Sequence, residues 1–202
     1  MLDCWIARST RFVRMNILTF QHSNIPTISM KDFLNPIETL KHLKLRKDMI
    51  AADFGCGSGG WAIPLAKKLE DGIVYAIDIL EEPLSALRGR LALEKIGNIK
   101  TIRANLENKR GSTLADDSLD LVLMTNLLFQ LEDKKGVFKE AKRILKRDGK
   151  ILVVDWTSDA SLGPGQGRVS EKEVKELAKE IGLKLEKEFE AGIYHYGLIF
   201  EK

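Results

Sequence analysis

Residues 50–60 read IAADFGCGSGG, an apolar run that ends in Asp53 and gives way to four glycines within six residues. An apolar pattern of helical type resumes at Trp61. This succession indicates a buried strand, a tight turn and the start of a helix. Glycine accepts positive φ angles and, because it lacks Cβ, lets a ligand lie against bare backbone. Open α/β sheets bind ligands outside the carboxyl ends of their strands, so we expect this turn to hold a nucleoside-containing cofactor.

On either side of this turn, strand-like and helix-like segments alternate along the chain. Strands are predicted at 50–54, 73–78, 99–103, 118–125, 151–154, 183–190 and 194–200. Helices are predicted at 37–43, about 60–70, 83–96, about 133–145 and 170–181, the longer ones ended by Gly72, Gly97, Gly149 and Gly182. Segment 151–154 is nearly all β-branched or leucine, as expected for a strand covered on both faces. Ser170 and Glu173 have the spacing of a capping box.

The short connection Ala191-Gly192 joins the last two predicted strands and implies an antiparallel pair. Seven strands with alternating helices and a terminal hairpin predict one α/β domain over residues 35–202, built on a parallel sheet with one reversed edge strand. Residues 1–34 differ because they mix apolar side chains with several arginines. We expect them to form an N-terminal arm, either amphipathic or partly disordered.

Two cofactor classes compete for the glycine-rich turn. The spacing Gly55-x-Gly57-x-x-Gly60 fits the dinucleotide fingerprint, and Asp78 follows at about the distance of a ribose-binding acid. Asp53 argues against this interpretation, because a carboxylate two residues before the first glycine repels a pyrophosphate docked at the helix start. The same carboxylate favours a cationic ligand.

The run from Asp53 to Gly59 closely resembles the first motif of class I S-adenosylmethionine-dependent methyltransferases. S-adenosylmethionine carries an amino group and a sulfonium and has no phosphate, so an acidic loop suits it. The resemblance implies a Rossmann-like, seven-stranded, mostly parallel sheet with helices on both faces and a C-terminal antiparallel hairpin, over roughly residues 35–202. Within the family, the chain is most similar to the compact small-molecule enzymes of ubiquinone and menaquinone biosynthesis.

The resemblance also implies which residues bind the cofactor. Asp78, at the end of the second strand, would accept both ribose hydroxyls, although it would alternatively cap the next helix. Asn105 stands where the family has an aspartate that holds the adenine amino group; an amide oxygen accepts the same bond without the charge, and the alternative is a turn asparagine. Asn126 follows the fourth strand, in the loop that lines the methyl-transfer site. The full set of expected cofactor-binding residues is Asp53, Gly55, Cys56, Gly57, Gly59, Asp78, Ile79, Asn105, Leu106 and Asn126.

The catalytic residues are not identified by the sequence. Asp155 ends the fifth strand and is interpreted either as a general base or as a cap for the following loop. His195 is either a residue of the pocket or a packed histidine. The Pro/Gly-rich loop at 163–167 either closes over the substrate or serves as a flexible connector. Methyl transfer needs a general base only when the acceptor atom is protonated.

Composition narrows the function further. The chain has 202 residues and a net charge of +3, which is too balanced to indicate nucleic acid by itself. Its two cysteines are far apart, no metal-ligand spacing occurs, and no apolar run is long enough to span a membrane. We therefore expect a cytoplasmic methyltransferase with a small-molecule acceptor and no metal. The alternatives are an RNA or protein methyltransferase (for RNA, through Arg8, Arg11, Arg14 and the lysine-rich 134–147 face), a non-catalytic S-adenosylmethionine-binding module, and an NAD(P)-dependent oxidoreductase.

Overall fold

A seven-stranded sheet organises the computed structural model, which describes residues 33–202. The strands are β1 Ile50–Phe54, β2 Ile73–Asp78, β3 Ile99–Arg103, β4 Leu119–Thr125, β5 Leu145–Trp156, β6 Lys184–Glu190 and β7 His195–Glu201. Their order across the sheet is β3-β2-β1-β4-β5-β7-β6. Strands β1 to β5 run parallel, and β7 is antiparallel to both of its neighbours. The predicted mostly parallel sheet and its terminal hairpin are confirmed. The expected reversed edge strand is not: β7 is the reversed strand, and it lies inside the sheet because it pairs with both β5 and β6.

Helices cover both faces of the sheet, as predicted. They are α1 Pro36–Leu40, α2 Ala62–Ala66, α3 Glu81–Glu94, α4 Lys134–Ile144 and α5 Glu171–Glu180, with a short 3₁₀ helix at Leu128–Gln130. The buried residues of α1, α2 and α3 share one apolar cluster with alternate side chains of the strands. Those of α4 and α5 share the cluster on the opposite face. Central strands β1 and β4 are buried on both faces, which explains their nearly continuous apolar sequences.

The strand order reverses between β1 and β4, which are direct neighbours in the sheet. The chain leaves β1 toward β2 and β3 on one side, and β4 continues toward β5 on the other. In open α/β sheets the ligand crevice lies at such a switch point, outside the carboxyl ends of the strands. The fold thus brings the turn after Phe54 and the turn after Thr125 to the same place.

Helix starts follow the sequence closely because side-chain caps define them. The capping box of α5 is present: the Ser170 hydroxyl accepts the Glu173 N–H, and the Glu173 carboxylate accepts the Ser170 N–H at 2.8 Å. Asp133 caps α4 by accepting the Gly136 N–H at 2.8 Å. Asn35 caps α1 immediately before Pro36 at the first helical position.

Several helix ends differ from the prediction. Helix α2 is five residues long, because the chain after Ala66 tightens into turns instead of continuing to Glu70. Helix α3 begins at Glu81, ahead of Pro83, and ends at Glu94. The next residue, Lys95, has a left-handed conformation (φ 55°) that stops the helix before Gly97, where the stop was expected. Helix α4 ends at Ile144, and β5 starts at the next residue, where Leu145 pairs with Leu119 ahead of a register shift. Gly149 therefore lies within β5 and does not end a helix.

Two structural features are absent from residues 33–202. In that range no helix is long and apolar enough to cross a membrane. The same residues contain no group of three or more His, Cys, Asp or Glu side chains placed to hold a metal ion. The predicted N-terminal arm lies almost entirely outside the described residues.

Candidate cofactor site

The glycine-rich turn is tied to the end of the neighbouring strand. The backbone N–H groups of Gly55 and Cys56 both donate to the Ile77 carbonyl, at 2.8 and 3.0 Å. Gly55 (φ 70°) and Gly59 (φ 88°) adopt positive φ angles that side chains rarely tolerate. These bonds reverse the chain directly beyond β1, so the turn lies over the carboxyl edge of the sheet.

Close packing also requires glycine at two positions of this turn. A Cβ at Gly55 would lie 2.7 Å from the Leu127 side chain, and one at Gly59 would lie 2.4 Å from Leu87 of α3. Gly57 differs, because a Cβ there would meet no atom within 4 Å. Gly55 and Gly59 let the turn pack closely against Leu127 and Leu87. Gly57 instead borders open space, where a ligand has room.

Asp53 is the most unusual residue of the site. Its side chain is 0% exposed, and neither carboxylate oxygen has a hydrogen-bond partner among residues 33–202. Burial raises its pKa to about 7, and the nearby negative charge of Asp78 adds to the effect. The nearby backbone N–H of Ala62 lowers the pKa somewhat, although its geometry falls short of a hydrogen bond to the carboxylate. A buried carboxylate without a donor fits a ligand that carries a positive charge and N–H groups.

Asp78 joins the glycine turn to α3. One carboxylate oxygen accepts the Gly57 N–H at 2.9 Å, and the other accepts the Leu80 N–H at 3.0 Å. The side chain is partly exposed at the end of β2. A carboxylate offers about four lone-pair sites, so two remain for ligand hydroxyls. The two interpretations of Asp78 from sequence are therefore compatible: it braces the turn and still presents acceptors outward.

The next three expected cofactor residues line the β2 and β3 end of this edge. Ile79 follows Asp78 and is 53% exposed, which is unusual for an isoleucine. The Asn105 side-chain oxygen accepts the Glu107 N–H at 2.9 Å, so this residue does form the turn that was its alternative interpretation. The Leu106 side chain is buried in the apolar cluster on the α4 and α5 face. Ile79 thus offers apolar surface, while Asn105 and Leu106 mainly shape the loop.

The turn after β4 is strained at Asn126. This residue has a φ of 51°, which is uncommon outside glycine, and its N–H donates to the Val154 carbonyl at 2.8 Å. Its side-chain oxygen is shielded from solvent and has no partner within the described part of the chain. Leu127, the next residue, is the one that packs against Gly55. Strained backbone and an unpaired amide oxygen are both features that recur at functional sites.

Asp155 supports the backbone instead of facing a substrate. One carboxylate oxygen accepts the Leu128 N–H and the other accepts the Trp156 N–H, both at 2.8 Å. The residue is completely buried, and burial raises its pKa. The structure therefore favours the cap over the general base, the two alternatives left open by the sequence. Cys56 is likewise inert, since burial raises the pKa of its thiol and keeps it protonated.

The loop at 157–168 is organised by Arg168, which sequence reasoning missed. Its guanidinium donates to the carbonyls of Pro164, Ala160 and Leu162, at 2.8, 2.6 and 2.9 Å. At the other side of the loop, Gly163 lies directly against the Trp156 ring. A single arginine after a Gly/Pro-rich run was the available signal, but its partners are carbonyls, which leave no trace in sequence.

Replacing Arg168 by Ala should loosen this loop without unfolding the domain. Charge-assisted hydrogen bonds each contribute about 1.5–3 kcal/mol, and the substitution removes at least three. We expect amide exchange within 157–168 to accelerate at least tenfold, as measured by mass spectrometry, with β1 and β4 unchanged. Arg147→Ala is the matched control, because Arg147 is exposed. Equal exchange in both variants would show that Arg168 does not hold the loop.

Comparison with known proteins agrees with this geometry. A family model described as a methyltransferase domain matches residues 52–153, half of the chain. Demethylmenaquinone methyltransferase of Geobacillus sp. (strain WCH70) is 27% identical over 127 residues, which cover 62% of this chain and 53% of that protein. The enzyme of the same name from Geobacillus kaustophilus is 28% identical over 134 residues, covering 61% and 56%. The chain thus spans about half the length of the curated relatives it matches.

Solved structures extend the agreement to the whole described fold. An S-adenosylmethionine-dependent methyltransferase from Aquifex aeolicus superposes with a TM-score of 0.77 at 25% identity, covering 84% of this chain and 90% of that one. The cyclase SpnF has a TM-score of 0.72 at 12% identity, with 83% and 79% covered, and shares the fold alone. The family match begins at β1, includes the glycine turn and ends within β5. This chain belongs to the methyltransferase-domain family, whose cofactor is S-adenosylmethionine.

Proposed function

We propose that this chain binds S-adenosylmethionine across the carboxyl ends of β2, β1 and β4 and transfers its methyl group to a small-molecule acceptor. The observation that carries the proposal is the Asp53 carboxylate, which is buried two residues before the first glycine of the turn and has no hydrogen-bond partner among residues 33–202. A dinucleotide would bring a pyrophosphate to this position and add negative charge beside Asp53 and Asp78. The amino and sulfonium groups of S-adenosylmethionine bring positive charge instead.

The remaining contacts follow from the position of each residue along the edge. Asp78 accepts the ribose hydroxyls with its free lone pairs, and Gly57 leaves room for the ligand beside it. The exposed Ile79 side chain covers one face of the adenine, with Asn105 and Leu106 at the opposite side. Asn126 offers its unpaired amide oxygen next to the methionine portion. This arrangement gives a ligand contact to the exposed Ile79 side chain and to the unpaired oxygens of Asp53 and Asn126.

The chemistry asks little of the side chains. When bound, S-adenosylmethionine supplies a methyl group already activated by the sulfonium. The protein has to hold the acceptor in line with the methyl–sulfur bond and exclude water. We assign no general base, because Asp155 is engaged with backbone N–H groups.

A small-molecule acceptor is supported by the relatives, which are named demethylmenaquinone methyltransferases. The basic face of α4, considered above for RNA, is largely occupied by intramolecular contacts. Lys135 pairs with Glu180 at 2.7 Å, and Lys142 donates to the Ile181 carbonyl at 2.6 Å. Arg8, Arg11 and Arg14 lie outside the described residues. A small acceptor therefore accounts for the observations better than a nucleic acid does.

Thermal unfolding with added ligand tests the cofactor assignment. S-adenosylmethionine or S-adenosylhomocysteine at about 100 times its Kd should stabilise the chain by about 2.7 kcal/mol. For a chain of this length, that corresponds to a rise in Tm of about 5–10 °C. NAD at the same concentration should leave the Tm unchanged. Stabilisation by NAD alone would contradict the proposal.

Asp78→Ala should remove most of the ligand-induced rise. Losing two charge-assisted hydrogen bonds to the ribose weakens binding by about 3 kcal/mol or more, at least about 100-fold. Because Asp78 also braces the turn, each variant is compared with its own ligand-free Tm. Asp71→Ala, at an exposed position outside the site, is the matched control and should respond like the native chain. Release of labelled methyl groups to a product would then separate an enzyme from a binding module.

A further inference from the structure

His195 is a buried histidine at the same edge of the sheet, and the cofactor site does not use it. It begins β7 and pairs across the sheet with Trp156, the last residue of β5. The two rings lie 4.0 Å apart between centroids, at an angle of 42°. Side chains alternate between the faces of a strand, so His195 shares the α1–α3 face with Ile199 of β7. By the same alternation in β1, with Ala51 on that face, Asp53 shares it too.

Neither ring nitrogen of His195 has a hydrogen-bond partner in the part of the chain that the structure describes. The residue is 6% exposed, and both nitrogens are shielded from solvent. Burial lowers its pKa to about 4, so the ring is neutral at pH 7. A neutral imidazole has one donor and one acceptor nitrogen. Buried polar groups are normally paired, and an unpaired one in a folded protein calls for an explanation, such as an ordered water, a ligand or a catalytic role.

The surroundings of His195 are aromatic and apolar. Tyr194 precedes it, and the Phe33 ring lies 6.1 Å from the Tyr194 ring. Phe33 is 41% exposed and Ile193 is 49% exposed, so this end of β7 presents apolar surface. The Trp156 ring lies between His195 and the loop at 157–168, whose Gly163 rests on it. Such surroundings suit an apolar molecule with few polar groups.

The order of residues along the edge indicates what His195 contacts. Asp78 lies on β2, Asp53 on β1, Asn126 after β4, and His195 on β7, three strands along the sheet from β1. At a spacing of about 4.8 Å, three strands separate β1 and β7 by roughly 14 Å, which is too far for one group to bind both. A cofactor over β2, β1 and β4 leaves the β5 and β7 side for its reaction partner.

We propose that His195 binds the methyl acceptor by hydrogen bonding to a hydroxyl group on an otherwise apolar, aromatic molecule. This inference rests on the proposed function, since it assigns the acceptor side of the same site. A hydroxyl both donates and accepts, so it can pair with either nitrogen of the neutral ring. Because His195 is buried, the acceptor can reach it only if the residues that cover it move apart. The adjoining segment without regular secondary structure is the loop at 157–168, which Arg168 holds in place.

The test uses the full chain saturated with S-adenosylhomocysteine and two probes of nearly the same shape, 1-naphthol and 1-methylnaphthalene. The methyl group of the second probe neither donates nor accepts a hydrogen bond. His195→Phe keeps an aromatic ring against Trp156 and removes both nitrogens. His42→Phe is the matched control, because His42 also stacks on an aromatic ring, that of Phe189, at 3.8 Å. Calorimetry gives the Kd values. The chain has only three histidines, so side-chain NMR signals can be assigned with these variants.

We expect His195→Phe to bind 1-naphthol at least tenfold more weakly than the native chain and His42→Phe. 1-Methylnaphthalene and S-adenosylhomocysteine should bind all three proteins alike, and 1-naphthol should shift the His195 ring signals alone. The inference is wrong if His195→Phe retains native affinity for 1-naphthol, or if 1-naphthol fails to bind a native chain that binds S-adenosylhomocysteine. A native chain that does not bind S-adenosylhomocysteine overturns the proposed function itself, and this inference with it.

Discussion

Replacing Asp53 by Asn should stabilise the ligand-free protein above pH 7 while removing its affinity for the cofactor. Burial raises the pKa of Asp53 from 3.8 to about 7 in the folded chain. Below pH 4 the carboxyl is protonated in both the folded and the unfolded state, so it does not affect stability. Between pH 4 and 7 the unfolded state ionises more readily, and the native protein loses stability as the pH rises. Above pH 7 this loss is complete.

The expected gain for Asp53→Asn therefore grows with pH. At about 1.4 kcal/mol per pKa unit, it reaches at most about 4 kcal/mol at pH 8 and is about 1.7 kcal/mol at pH 5. Urea unfolding of the ligand-free protein at the two pH values measures it. The neutral amide of Asn gives up the attraction for a cationic ligand, so we expect S-adenosylmethionine to bind at least about 100-fold more weakly by calorimetry.

The prediction is specific because Asp53→Asn should raise the stability of the ligand-free protein and lower its affinity for the cofactor. Asp71→Asn, an exposed control, should change neither quantity. A variant that is less stable than the native chain at pH 8 would show that Asp53 has a structural partner. A variant that is more stable but retains full cofactor affinity would show that the buried carboxylate is not part of the cofactor site.

The second large effect is expected at Gly59. Alanine there would adopt a φ near 88° and place its Cβ 2.4 Å from the Leu87 side chain. A left-handed conformation costs about 1–2 kcal/mol, and overpacking costs about 1–3 kcal/mol. We expect Gly59→Ala to lower the free energy of unfolding by about 3 kcal/mol, measured by urea denaturation, because the glycine turn has to move away from α3.

The adjacent Gly60 provides the control. A Cβ at Gly60 would meet no atom within 4 Å, and its φ is not positive. Alanine at this position should be neutral or should stabilise the chain by about 0.4–1 kcal/mol, since it restricts the unfolded chain. Similar losses for the two variants would contradict the conformation described for this turn.

The sequence predicted the sheet well because its signals are local and strong. The glycine turn after Asp53 and the capping box at Ser170 were found where the pattern placed them. All seven strands are present, although β5 begins six residues before its predicted start at 151. The errors concern helix ends at which glycine was expected to act. Gly149 ended no helix because pairing of Leu145 with Leu119 draws the chain into β5 earlier, a tertiary contact that no local pattern reports.

Roles of individual site residues were harder to predict, because they depend on partners distant in the chain. Asp155 kept two interpretations until the Leu128 and Trp156 N–H groups were found at its oxygens. The position of Arg168 after a Gly/Pro-rich run did not reveal its role, since its partners are backbone carbonyls. The unpaired state of Asp53 and of His195 is likewise a property of the folded surroundings. Residue types and strand ends predicted a cofactor edge, whereas the proposed division into cofactor and acceptor sides depends on the contacts of Asp53 and His195 in the structure.

A crystal structure of the chain with S-adenosylhomocysteine tests the central claim most directly. We predict ribose hydroxyls within hydrogen-bond distance of the Asp78 carboxylate and the ligand amino group close to Asp53. The adenine should lie against Ile79, and the sulfur should point toward Asn126. A ligand bound elsewhere, or bound here with Asp53 still unpaired and Asp78 without a ribose contact, would contradict the account.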